Sequence, residues 1–187
     1  LFGIASNTKV MTAMALGMLV DEGKVAWDAP VGQYLPWFQM SDPYVTREMT
    51  IRDLLSHRSG LGLGAGDMLF WPATDYSTRE VVQRLRHVPL ATSFRSAYAY
   101  DNILYAVAQL VIEQVSGQSY AEFVALRIFR PVGMGNSRIN SDALGRGDTN
   151  GVPKEWYSTD LWTEYGLKFI DEAHAAKQPF FLYLAHN

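Results

Sequence analysis

The chain has 187 residues, 48% of them hydrophobic and 19% charged, enough for one domain with a real core or two small ones and too apolar for a disordered chain. A net charge of −3 without a basic run makes nucleic acid an improbable partner. The absence of cysteine removes disulfides, thiol catalysis, zinc–cysteine sites and iron–sulfur clusters. No uninterrupted apolar run approaches the roughly 18 residues of a membrane-spanning helix, so no transmembrane segment is expected. The compartment, periplasm or cytoplasm, stays open.

Phe2-Gly3-Ile4-Ala5-Ser6 is short and apolar, and a helical pattern follows at once. A serine at such a junction lies near the positive end of a helix, where free N–H groups favour negative charge on its oxygen. Lys9, three residues on, shares the serine's helix face. A serine hydroxyl needs a neighbour to take its proton, and a lysine can serve if its surroundings lower its pKa. Alone, this spacing is common and equally fits a capping serine beside a solvated lysine. Met11, Met14, Ala15, Met18 and Leu19 continue the helical stripe to a stop at Asp21-Glu22-Gly23, with the methionines read as core filler.

Lys24 to Val31 reads as a short extended segment running into a turn at Asp28-Ala29-Pro30. Thr50 to His57 reads as a short helix capped by Thr50, with Asp53 placed to suit its dipole. His57 is a candidate base, though a helix-end histidine more often serves as a structural hydrogen-bonder. In the loop from Gly64 to Tyr76, Phe70 and Trp71 either wall a substrate pocket or lid the core. Ser77-Thr78-Arg79-Glu80 and Ser119-Tyr120-Ala121-Glu122 are capping boxes, opening helices to about His87 and Ile128. Between them Tyr100-Asp101-Asn102 precedes a helical run from Ile103 to Val115, which Ser116-Gly117 stops. Residues 140–151, rich in glycine and polar side chains, form the expected linker. Beyond it, a helical stripe through Trp162, Tyr165, Phe169 and Ile170 leads to the apolar run Phe180 to Ala185. A helix followed by a two-sided hydrophobic strand is an α/β pattern.

Residues 1–138 resemble the serine β-lactamase and penicillin-binding-protein superfamily, in the branch of class C β-lactamases, DD-peptidases and related esterases. Ile4-Ala5-Ser6-Asn7-Thr8-Lys9 matches the S-x-x-K motif, and Leu19 to Val25 the segment after its helix. Thr50-Ile51-Arg52-Asp53-Leu54-Leu55-Ser56-His57-Arg58-Ser59-Gly60-Leu61 matches a second landmark. Tyr100-Asp101-Asn102 matches Y-x-N, and Arg130 to Met134 matches the usual end of the helical part. The resemblance implies acylation of Ser6 by an ester, amide or β-lactam carbonyl. Lys9 and Tyr100 would carry protons as a coupled unit, and Asn102 would orient Lys9 and hold a polar group of the substrate. Of the two readings of Phe70 and Trp71, the substrate-binding one is kept, as a reading of their loop, and no cofactor or metal is expected. The backbone N–H of Ser6 would form half of an oxyanion hole.

Two departures stand out. The third motif of that family, K-T-G or H-x-G on a sheet strand, has no match, and the strands expected before the serine are absent. The expectation is therefore a helix-rich α+β chain: an incomplete β-lactamase/transpeptidase-like fold over 1–139, a linker over 140–151 and a helix–strand unit over 152–187. Without a backing sheet, exposed apolar surface and dimerisation or strand exchange are expected. Residues 148–187 resemble an internal piece of a sulfatase, through Pro153 to Asp160, Phe169 to Glu172 and Pro179 to Asn187, without that family's nucleophile or calcium ligands. The resulting reading is a serine hydrolase acting on small esters and then β-lactams. A non-catalytic binding or oligomerising remnant is the alternative, with a sulfatase-related activity behind both.

Overall fold

A computed structural model describes residues 4–70, 74–139, 167–172 and 174–176. Contacts divide the chain into two compact units, Leu1–Ala143 and Leu144–Asn187. In the second unit, residues 167–172 and 174–175 are helical, with Lys168 and Glu172 one turn apart at 3.9 Å. Both of those side chains are well exposed, so the pair adds little to stability. The 140–151 linker and the strand Phe180 to Ala185 lie outside the described residues.

The first unit is built on seven helices among its described residues: α1 (Thr8–Asp21), α2 (Val31–Tyr34), α3 (Pro43–Glu48), α4 (Ile51–Ser56), α5 (Thr78–Gln83), α6 (Ile103–Ser116) and α7 (Tyr120–Val124). Helix α6 is the axle, with α1, α2, α4, α5 and α7 packed around it. Its Ile103, Leu104, Val107, Ala108, Val111 and Ile112 have no exposed surface. Ala15, Leu16 and Leu19 meet them from α1, and Ile51 and Leu54 lie in the same core on α4. Truncating any one of the large residues to alanine costs about 2–5 kcal/mol, because a packed core collapses only partly around the hole.

The helix ends follow the sequence. Thr50, Ser77 and Ser119 each close a capping box with Asp53, Glu80 and Glu122. Gly117, at φ +70°, ends α6 in the left-handed turn that glycine takes most cheaply. Asp42 caps α3, whose Pro43 fills the first position, where no N–H is needed; this helix has no counterpart in the sequence reading. Two helices change pitch: α5 tightens into a 3₁₀ turn over Arg84–His87, and α7 widens into a π turn over Ala125–Phe129.

The differences from expectation are local. Lys24 to Val31 forms turns, and Pro30 pairs with Thr50 in an isolated antiparallel bridge. No β-strand occurs among the described residues, so the β part of the expected α+β fold is not seen there. Met14 is not core: it stands 47% exposed beside Val10 at 58%. Helix α1 is apolar on every face, as a fully buried helix would be, and one of those faces is open. None of the described helices is long and apolar enough to cross a membrane.

Candidate active site

Ser6 lies in the 3₁₀ turn Ala5–Asn7 that leads into α1, so its hydroxyl is exposed at the helix entrance. Ala5, just before it, is held at φ +41°, a left-handed conformation that costs an L-residue about 1–2 kcal/mol. Lys9 stands one turn on. Tyr100 and Asn102 arrive from the irregular segment that enters α6, more than ninety residues away in sequence.

The four groups converge. Lys9 Nζ donates to Ser6 Oγ (3.1 Å), Tyr100 Oη (2.6 Å) and Asn102 Oδ1 (2.6 Å), so all three of its N–H bonds are used. Tyr100 Oη donates to Ser6 Oγ at 2.6 Å, closing a triangle of hydroxyl, amine and phenol. Burial alone would raise the Tyr100 phenol, but the hydrogen bonds with Lys9 and Ser6 and the Lys9 charge outweigh it and hold the phenol below its ordinary value of 10.0.

A second layer fixes the Tyr100 ring. His57 stacks on it, with ring centroids 4.5 Å apart and planes at 30°. His57 itself sits at φ +56° at the end of α4, and its Nδ1 accepts the N–H of Asp101 at 3.2 Å. An accepting Nδ1 must be unprotonated. In keeping with that, burial and then the Lys9 charge hold the imidazole below its usual 6.5. His57 is therefore a structural hydrogen-bonder under the site, and it does not reach the hydroxyl of Ser6 as a base would.

Asn102 occupies the N-cap of α6, yet its side chain makes no cap hydrogen bond. Its oxygen is spent on Lys9 and its amide nitrogen on Asp67 Oδ2 at 2.9 Å. The capping falls instead to Asp101, whose Oδ1 accepts from Leu104 N at 3.3 Å. An asparagine diverted from the role its position favours marks a site where function overrides local preference.

Beside these groups a cleft of about 440 Å³ opens between Ser6, Phe70, Tyr76, Val81, Tyr105 and Tyr120. Among the described residues its lining contains Lys9 and no other charged side chain. Phe70 is thus on the cleft wall, and Trp71 lies outside the described residues. The sequence reading did not find Asp67, Asp101 or Tyr105. Asp101 was inside a quoted motif, whereas Asp67 sits in a glycine-rich loop that carried no signal. Among the described residues no group of histidines and carboxylates could hold a metal ion.

The sequence matches the family described as Beta-lactamase over residues 1–175. The chain belongs to the β-lactamase family. That match runs through most of residues 148–187, and the likeness of that segment to a sulfatase is not shown. The chain is 34% identical to an unguisins hydrolase of Aspergillus campestris, over 79% of this chain and 29% of that protein. It is 35% identical to the esterase EstB of Burkholderia gladioli, over 72% and 37% of the two chains. The octameric penicillin-binding protein homologue of Pyrococcus abyssi superposes with a TM-score of 0.63 at 26% identity, over 78% of this chain and 34% of that one. The chain thus spans about a third of the length of these relatives.

Proposed function

We propose that this β-lactamase-family chain is a serine hydrolase that forms an acyl-enzyme on Ser6, with Tyr100 as its proton carrier and Lys9 as the cation that sustains the Tyr100 anion. The observation that carries the reading is the closed triangle Ser6–Lys9–Tyr100, with edges of 2.6 to 3.1 Å between residues up to 94 positions apart. The reactive form has the Tyr100 oxygen unprotonated. It then accepts the Ser6 proton along the same 2.6 Å line, while the Lys9 ammonium keeps negative charge on the phenol tolerable. Ser6 Oγ attacks the acyl carbonyl, and Tyr100 returns the proton to the departing alcohol. A water molecule then takes the alcohol's place and attacks the ester carbon. Tyr100 draws its proton and hands it to Ser6 Oγ as the bond to Oγ breaks, which frees the acid and restores the starting state.

The cleft supports small neutral acyl groups. Phe70, Tyr76, Val81 and Tyr120 offer apolar and aromatic surface, and among the described residues no arginine lines it to pair with a carboxylate. Small activated esters come first, since they need the least help for the developing oxyanion, and β-lactams come next.

The test is a burst of chromophore from a p-nitrophenyl ester with the matching mass increase on Ser6. Ser6→Ala removes both, a loss of about 10⁴-fold or more in turnover. Tyr100→Phe lowers acylation by about 10²–10⁴-fold. In the unaltered chain acylation rises with pH through the Tyr100 titration, whose midpoint lies below 10, and Tyr100→Phe abolishes that rise. A chain that remains unacylated by esters and by a penicillin overturns the reading.

A further inference from the structure

An asparagine side chain has two ends of opposite polarity, and only one of them suits a neighbouring ammonium. If the Asn102 amide were turned over, its NH₂ would face Lys9 and the bond at 2.6 Å would become a repulsion between donors. Asp67 decides which way the amide faces. Its Oδ2 accepts from Asn102 Nδ2 at 2.9 Å, so cation and carboxylate bracket the amide and only one orientation satisfies both.

The loop that carries Asp67 is built to hold it there. Gly64, at φ +65°, donates its N–H to Tyr100 O at 2.8 Å, which ties the loop to the segment bearing the phenol. Gly66, at φ +86°, lies so close to α6 that a Cβ at this position would meet Ile103 Cδ1 at 2.8 Å. The loop therefore seats against the first residue of α6, and Asp67 N–H closes it on Gly64 O at 3.1 Å. Asp67 Oδ1 is buried and has no hydrogen-bond partner among the described residues. A buried carboxylate oxygen left unpaired costs stability, so the placement of Asp67 is not explained by stability alone. Among the described residues, Tyr100 and Asp101 at the entrance of α6 feel its charge, and Lys9 on α1 stands across the Asn102 amide from it.

We infer that Asp67 is a positioning residue: it orients the Asn102 amide and, through it, holds the Lys9 ammonium against Ser6 and Tyr100. The inference rests on the acyl-enzyme reading for its consequence in rate, but the bracket itself is testable without turnover.

The experiment uses the full chain and two readouts. Asp67→Ala slows acylation by p-nitrophenyl acetate about 10–100-fold, because a displacement near 1 Å in a proton-transfer array has an effect of that size. The ester concentration at half-saturation stays within about threefold, since Asp67 does not line the cleft. Asn102→Asp sets two carboxylates face to face and lowers acylation to a similar degree. Combining Asp67→Asn with Asn102→Asp exchanges the two groups and rebuilds the bracket: the amide moved into the loop donates to the carboxylate moved to the entrance of α6, and that carboxylate accepts from Lys9. The exchanged pair acylates about tenfold faster than Asn102→Asp alone. In parallel, urea midpoints of Asp67→Ala, Asn102→Ala and the double variant are non-additive. Additive midpoints, or an exchanged pair that folds normally and acylates no faster than Asn102→Asp alone, overturn the inference. If the unaltered chain gives no burst, the acyl-enzyme reading fails by itself, and additivity or non-additivity of the midpoints then decides the role of Asp67.

Discussion

Asp53 and Asp101 are both buried carboxyls, 4% and 0% exposed, and their surroundings treat them in opposite ways. Asp53 accepts the N–H and hydroxyl of Thr50 at 2.9 and 2.7 Å and a two-pronged contact from Arg95 at 3.0 and 2.6 Å. Burial pushes its pKa up, but Arg95 and Thr50 outweigh burial and hold it below the ordinary carboxylate value. Asp101 has one N–H bond of 3.3 Å, a hydroxyl at 3.5 Å and the imidazole of His57 at 3.9 Å. Burial outweighs the Leu104 and Ser59 hydrogen bonds and the more distant Lys9 charge, and its pKa is pushed up to about 6. Loss of water thus gives a firm ion pair at the entrance of α4 and a reluctant acid beneath Tyr100. Two things separate them: Asp101 lies deeper, and a guanidinium arrives only at Asp53.

The contrast fixes the signs of pH dependence. Asp53 is lowered in the folded state, so its contribution is present above the ordinary carboxylate pKa of 3.8 and is lost as pH falls through the folded value. Asp101 is raised, so its contribution is complete below 3.8 and is lost as pH climbs to about 6.

Removing the guanidinium is the strongest way to break the comparison. Arg95→Ala leaves Asp53 buried and unpaired and should cost about 3 kcal/mol at pH 7, at the low end for a broken buried pair because Arg95 is 40% exposed. Urea unfolding measures it, and a loss below about 0.5 kcal/mol would put Asp53 in the same class as Asp101. The opposite change sharpens the contrast. Asp101→Asn keeps the size and an acceptor for Leu104 N without the charge, and should stabilise the chain by about 2 kcal/mol at pH 8. That gain should vanish at pH 3.5, and an equal effect at both pH values would mean that Asp101 is not a strained acid. The smallest effect belongs to exposed caps, where no buried charge is involved. Ser77→Ala and Ser119→Ala should each cost about 1 kcal/mol, with a midpoint shift that is flat from pH 6 to 8.

Much of the helical unit was legible because its signals are local. A capping box spans four residues, and Ser77 with Glu80 or Ser119 with Glu122 states its own geometry. Ser6 and Lys9 could be paired by helical spacing, whereas Tyr100 and Asn102 joined them only through family resemblance. The state of Asp101 was not legible, since it depends on Ser59 and His57, over forty positions earlier, and on an arginine that goes elsewhere. Asp67 was hidden for a similar reason: its partner Asn102 is 35 residues away, and its loop lacks the periodicity of a helix. Met14 misled because α1 is apolar all round, so the pattern alone could not say which face the core would take.

One buried contact bears on how far the site can drift. Thr12, one turn beyond Lys9, shares a 2.7 Å hydrogen bond with the Tyr120 hydroxyl at the start of α7. It works as a key in a shaft, stopping α1 from turning about its own axis. A turn of about 10° would carry a side-chain tip at ~6 Å radius by about 1 Å. The alignment of nucleophile and phenol is thus secured in part by two residues that touch neither of them.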